Sequence, residues 1–156
     1  MWCSLVKLNR SILKINVGHV LNKSVGFVKL IEIDEKLVSV SKDVVVNRLL
    51  AKLKFTNTHP GILVSGEIDA KCMTECIRCL VHYENVTEMN VSELYTVSNH
   101  EQSEFQVDDK CVLDLGPLFR ELLLVEEPIR VLCQQDCKGL CVDCGVNLNN
   151  QRCKCD

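Results

Sequence analysis

Residues 48–72 read RLLAKLKFTNTHPGILVSGEIDAKC, and their apolar residues recur with a period of two. In the first half Leu49, Ala51, Leu53 and Phe55 oppose Arg48, Lys52 and Lys54, with Leu50 the exception. Beyond Pro60 and Gly61, the residues Ile62, Val64, Ile68, Ala70 and Cys72 oppose Ser65, Glu67, Asp69 and Lys71. Successive side chains of a strand point to opposite faces. Two alternating runs around a Pro-Gly turn therefore predict an antiparallel hairpin with one buried face. Cys72 lies on that face and is expected in the core, as are Cys3 and Cys111.

Working outward, the next feature is a C-x2-C pair, Cys76 and Cys79, in the turn that leaves the hairpin. A third extended segment follows from 81 to about 95, with Val81, Tyr83, Met89 and Val91 on one face. Residues 98–110 are polar and acidic and predict a mobile surface loop. A helix is expected over about 114–127, with Asp114 as N-cap, Pro117 in the first turn and Pro128 as the stop. Leu115, Leu118, Phe119, Leu122 and Leu123 give it one apolar face, and Arg120 and Glu121 fall off that face as solvated charges. Residues 1–43 mix basic and apolar side chains around Gly18 and Gly26 and predict short strands and loops. The expected class is α+β: a mainly antiparallel sheet, one packed amphipathic helix and a cysteine-rich, zinc-binding C-terminal module. The expected division is a β-rich domain over 1–132 and the module over 133–156.

The aliphatic, aromatic-poor composition (4% aromatic) suits a sheet core built from β-branched residues. Charge is segregated: residues 1–54 carry ten Lys/Arg against four Asp/Glu, whereas 55–132 carry five against fourteen. A basic first third can meet phosphate and an acidic middle can meet a basic protein; either can also be plain solvated surface. The N-terminus lacks a signal-peptide pattern and no apolar run reaches the length of a membrane span, which predicts a cytoplasmic protein with reduced thiols.

Six of the eleven cysteines crowd into 133–155, CQQDCKGLCVDCGVNLNNQRCKC. Thiolates at such spacings in a reducing compartment point to structural zinc, which takes four tetrahedral ligands. Gly145 after Cys144 supplies the left-handed residue a zinc knuckle often needs. The partition expected is Cys76, Cys79, Cys133 and Cys137 for one Zn2+, and Cys141, Cys144, Cys153 and Cys155 for a second. The rival is a single ion on Cys141, Cys144 and two other tail cysteines. Leu140, Val142, Val146 and Leu148 are too few to fold the tail without metal, and metal binding energy is ample to order it.

Other thiol chemistries fit less well. Neither C-x2-C pair sits in a βαβ setting, as a thioredoxin-like pair would. An iron–sulfur cluster is compatible with four cysteines, but the knuckle glycine favours zinc. His19, His59, His82 and His100 share no motif that would pair one with a catalytic cysteine. No phosphate-binding glycine loop, HExxH, GxSxG or paired-carboxylate motif is present, so no enzyme and no small-molecule substrate is expected.

The segments GILVSGEIDAKCMTECIRCL, LDLGPLFRELLLVEEPI and LCQQDCKGLCVDCGVNLNNQRCKC, in this order, resemble the YceD family. The likeness runs from about residue 53 onward, and Cys76, Arg78 and Cys79 fall on the family's C-x-R-C motif. Some relatives keep that motif and a cysteine near position 137 while lacking the tail cysteines, which implies two separate sites with the second optional. The family is tied to accumulation of large-subunit ribosomal RNA, so the resemblance implies a factor acting on 23S rRNA or its precursor. No catalytic residue is carried over. Arg78, Lys138, Arg152 and Lys154 border the cysteines and are the candidates for phosphate contact, although each can equally neutralise thiolate charge. The alternative is a zinc-stabilised adaptor or chaperone for a basic large-subunit ribosomal protein.

Overall fold

The computed structural model describes residues 11–97, 104–126 and 131–155. Its centre is a four-stranded antiparallel sheet in the order β2-β3-β4-β5, formed by β2 (Val28–Ser39), β3 (Val45–Asn57), β4 (Gly61–Glu75) and β5 (His82–Thr96). The predicted hairpin is β3–β4, closed where the Thr58 N–H and hydroxyl both donate to the Gly61 carbonyl at 2.8 and 2.9 Å. Its register places Leu49 opposite Ala70, Ala51 opposite Ile68 and Phe55 opposite Val64, all buried. One face of the sheet is thus apolar by the simple alternation of the sequence.

A second, two-stranded sheet pairs β1 (Lys14–Asn16) with β6 (Val112–Asp114), and a short helix α1 (Gly18–Leu21) follows β1. Helix α2 (Gly116–Val125) leaves β6 and lays Leu118 and Phe119 into the same core as the sheet, with Leu122 and Leu123 packed at its margin. Buried Tyr95 joins the two parts, since its hydroxyl donates to the Asp114 carbonyl at 3.1 Å. Burial raises this phenol's pKa well above its ordinary value, so it stays a donor. No helix among the described residues is long and apolar enough to cross a membrane.

Several expectations change. The region expected to hold only short strands and loops contains β2, twelve residues long. Its burial is uneven, with Ile33 and Val38 in the core but Val28 and Leu30 exposed, so no clean alternation marks it. Asp114 ends β6, and Leu115 takes the N-cap position; the Asp114 carboxylate still accepts the Gly116 N–H at 2.8 Å. Val81 lies before β5 and is exposed. Within the stretch expected as a mobile loop two side chains pack: Phe105 lies against Tyr95 with centroids 5.3 Å apart, and Val107 is buried. Arg120 is an ion-pair partner of Asp43 at 2.6 Å rather than a free surface charge. Cys72 and Cys111 are half-buried, and Cys72 packs on the core. Cys3, His100, Pro128 and residues 98–103 lie outside the described residues.

Candidate metal centres

The turn from β4 to β5 carries Cys76 and Cys79. It is closed by Cys76 N–H to Val81 O at 3.0 Å and Leu80 N–H to Cys76 O at 2.9 Å, with Leu80 in the left-handed region. The chain returning from α2 is sewn onto this turn: Ile77 N–H donates to Val131 O at 3.0 Å and Leu140 N–H to Arg78 O at 3.1 Å. The Arg78 guanidinium adds a bond to Cys137 O at 2.9 Å. Gly139, at φ 77°, is the residue that lets the return segment come this close, because a Cβ there would stand 3.0 Å from Arg78 O.

These contacts bring Cys76, Cys79, Cys133 and Cys137 together, with all four sulfurs within 4.8 Å of one another. Cys76 and Cys137 sulfurs are 3.8 Å apart, and Cys79 and Cys133 sulfurs 3.5 Å apart. Sulfurs bound tetrahedrally at ~2.3 Å from Zn2+ stand about 3.8 Å from each other, so the set has the size of a zinc site. Cys76, Cys79 and Cys137 are buried, and Tyr83, Leu132 and Leu140 pack around them.

The second tetrad, Cys141, Cys144, Cys153 and Cys155, meets the same 4.8 Å limit. Cys153 sulfur lies 3.2 Å from that of Cys141 and 3.6 Å from that of Cys144. The knuckle is shaped by Cys141 N–H to Val146 O at 2.8 Å and Gly145 N–H to Cys141 O at 2.9 Å, with Gly145 at φ 71°. Cys144 and Cys155 are exposed, as are Val142 at the tip and the side chains of Lys138, Arg152 and Lys154. The two sets are hereafter the inner and outer tetrads. Each set could hold one metal ion, and each gathers the four cysteines that the expected partition places together.

The electrostatics suit a cation. Burial pushes the Cys76 thiol up, but the backbone N–H groups of Cys133, Cys79 and Arg78 outweigh it and bring it down to about 6. Cys133 is pushed up to about 12 by burial and by its three sulfur neighbours. Outside, Cys141 is brought down to about 6, first by the Cys144 N–H and then by the Cys153 sulfur. The Cys155 N–H lowers Cys153, but the Cys141 and Cys155 sulfurs and burial carry it up to about 12. Cys76 and Cys141 are thus drawn toward the thiolate, and a positive ion beside them would draw the protons from Cys133 and Cys153 as well.

The pattern of cysteines gave no hint of Asn149. Its side-chain amide donates to Cys137 Sγ at 3.3 Å and to Asn147 Oδ1 at 2.9 Å, while its Oδ1 accepts the Lys138 N–H at 2.8 Å. The signal available was the asparagine-rich run 147–150 between the knuckle and the last cysteines. Of the histidines, His19 packs edge-on to Phe27 and His82 lies 3.4 Å from Glu75, away from either tetrad's ligand set.

The family described as "Large ribosomal RNA subunit accumulation protein YceD" matches residues 64–156, the part holding both tetrads. The chain belongs to the YceD family. An uncharacterized protein of Mycobacterium leprae is 27% identical over 103 residues, covering 62% of this chain and 47% of its own length. An uncharacterized protein of Mycobacterium tuberculosis is 28% identical over 105 residues, covering 64% of this chain and 51% of its own. The chain thus spans about half the length of these curated relatives. A chloroplastic YCED homolog of Arabidopsis thaliana, described as a large ribosomal RNA subunit accumulation protein, is 40% identical over 43 residues, covering 28% of this chain and 13% of its own. No solved structure matches.

Proposed function

We propose that this YceD-family protein is a non-enzymatic, cytoplasmic factor in large ribosomal subunit biogenesis that promotes accumulation or processing of 23S rRNA by binding its precursor. The observation that carries this reading is the family match over 64–156, since the family is described by large-subunit rRNA accumulation rather than by a reaction. In this reading Cys76, Cys79, Cys133 and Cys137 hold one structural Zn2+, and Cys141, Cys144, Cys153 and Cys155 a second. The inner set fixes residues 133–156, as a module, onto the β-rich domain 1–132. The zinc supplies only cross-linking here; the protein's part is to place four sulfurs and the N–H groups that stabilise them.

Of the four cations considered for phosphate contact, Arg78 is engaged with the Cys137 carbonyl and serves the joint. Lys138, Arg152 and Lys154 are exposed and are the better candidates for RNA. Crosslinking in cells followed by sequencing of attached RNA tests the reading: discrete sites on precursor 23S rRNA are expected, and their absence would sink direct RNA binding. Elemental analysis of the purified chain should find two zinc per molecule; a chain free of metal would remove the zinc assignment.

A second reading has one observation in its favour. Asp69 stands directly opposite Glu88 on the outer face of β4 and β5, with Glu67 two residues away. Like charges directly opposed are unfavourable in isolation and would be relieved by a cationic partner. An adaptor for a basic large-subunit ribosomal protein would meet this surface, and such a protein recovered with the chain after ribonuclease treatment, without crosslinked rRNA, would establish it.

A further inference from the structure

We propose that the two tetrads are coupled through the Asn149 carboxamide, so that metal held by the outer cysteines raises the affinity of the inner ones. The inference rests on both tetrads binding zinc, as proposed above. Asn149 belongs to the loop between Cys144 and Cys153, which outer metal closes at both ends. Yet its amide donates to an inner ligand, Cys137 Sγ, at 3.3 Å. Its Oδ1 accepts from Lys138 N–H at 2.8 Å and from the Gln134 amide at 3.3 Å, both beside inner ligands. Asn147 Oδ1 holds the Asn149 N–H and side-chain amide, at 2.9 Å each, which fixes the rotamer. The same loop returns Leu148 N–H to Gly139 O at 2.9 Å.

A donor aimed at a metal-bound thiolate spreads its charge and holds the sulfur in place, and losing such a partner typically lowers metal affinity 10–100-fold. With the outer cysteines empty, the loop carrying Asn149 loses its closure and the donor is no longer held against Cys137. Coupling of this kind is reciprocal, so inner metal also favours outer metal. Exposure sets the order of loss. Cys144 and Cys155 are open to competing ligands, whereas Cys76, Cys79 and Cys137 are buried, so zinc scarcity empties the outer set first and then loosens the inner.

The test uses the full chain loaded with zinc and challenged with a chromophoric chelator, 4-(2-pyridylazo)resorcinol. Two equivalents should leave in two phases, the slow one from the inner tetrad. Cys144→Ser should remove the fast phase and speed the slow one by ~10-fold. Asn149→Ala should speed the slow phase by a similar factor, and the double variant should be no faster than either single one, because both break one link. Asn149→Asp keeps the acceptor for Lys138 N–H but cannot donate to sulfur, and should match Asn149→Ala; the exposed neighbour change Asn150→Ala should alter neither phase. A slow phase unchanged in Cys144→Ser, additive effects in the double variant, or native release from Asn149→Asp would each overturn the coupling. A native chain that binds no zinc would instead overturn the zinc reading itself.

Discussion

The inner and outer tetrads offer the same four sulfurs to a cation, but they join different things. Inner sulfurs that touch come from residues 61 and 54 positions apart, Cys76 with Cys137 and Cys79 with Cys133. Outer sulfurs that touch are only 12 and 9 positions apart. Closing a longer loop removes more freedom from the unfolded chain. A metal held by the inner sulfurs would therefore act as a staple between a sheet turn and a distant segment, inside an apolar wrapping of Tyr83, Leu132 and Leu140. A metal held by the outer sulfurs would act as the nucleus of a tail with few apolar residues, of which Val142 is almost fully exposed. The same ligand chemistry would support an existing fold in one place and stand in for a core in the other.

Removing one sulfur from each set gives the largest contrast. At saturating zinc, Cys76→Ser should lose amide protection across the β4–β5 turn and the 131–140 segment, with a clear fall in thermal midpoint. Cys141→Ser should lose protection only over about 140–155 and leave the sheet as it was. Hydrogen exchange read by mass spectrometry separates the two patterns; equal and local losses would erase the distinction between staple and nucleus.

A change in the sheet core sharpens the comparison from the other side. Phe119 is fully buried between α2 and the sheet, so Phe119→Ala should cost about 3–5 kcal/mol in urea unfolding. Its zinc content should stay at two, because both tetrads are built from turns and tail rather than from α2. Loss of metal in this variant would mean that the helix, and not the cysteine turn, positions the inner set.

The β3–β4 hairpin could be read because one face of each strand is covered and the other is not, so burial writes itself into alternation. The edge strand β2, with Leu30 and Val28 exposed, carries no such imprint, and its sequence predicts only short pieces. The C-x2-C pairs Cys76/Cys79 and Cys141/Cys144 could be read because a knuckle brings two sulfurs together by local geometry, whereas the joining of Cys76 and Cys79 to Cys133 and Cys137 spans more than fifty residues and depends on how the chain returns to the β4–β5 turn. Asn149 could not be found, because a side-chain amide bonded to a ligand twelve residues away follows from how two loops pack. The Asp43–Arg120 pair was missed for the same reason: its partners are 77 residues apart.

Acid should act more gently than these substitutions, and on both tetrads in the same direction. Cys133 and Cys153, pushed up to about 12, must give up protons to bind metal at neutral pH. Apparent affinity should fall about tenfold per pH unit for each proton displaced. Cys76 and Cys141, held at about 6, are already thiolate at pH 7, so the fall should steepen as pH drops below that value. Cobalt(II) titrations followed by thiolate charge-transfer absorption between pH 5.5 and 8 would show this; a flat profile would mean that the sulfurs are not the ligands.

The smallest effect belongs to the Asp43–Arg120 pair, which ties the β2–β3 turn to α2 with no metal involved. The guanidinium, followed by the Ser41 hydroxyl, holds the Asp43 carboxyl well below the usual carboxylate range. A depressed carboxylate stabilises the fold fully above its unfolded pKa of about 4, and that contribution is lost as pH falls through the lower folded value. Both side chains are about half exposed, at 54% and 42%, so solvent and salt screen the attraction. Asp43→Asn should therefore lower the thermal midpoint slightly at pH 7 and low salt, and the difference from the native chain should shrink in high salt and below pH 4. A loss comparable to that of Phe119→Ala would show that this surface tie, rather than the apolar face of α2, sets where the helix sits. The core and the inner tetrad would then no longer be independent, because Cys133 and Cys137 follow α2 closely in the sequence.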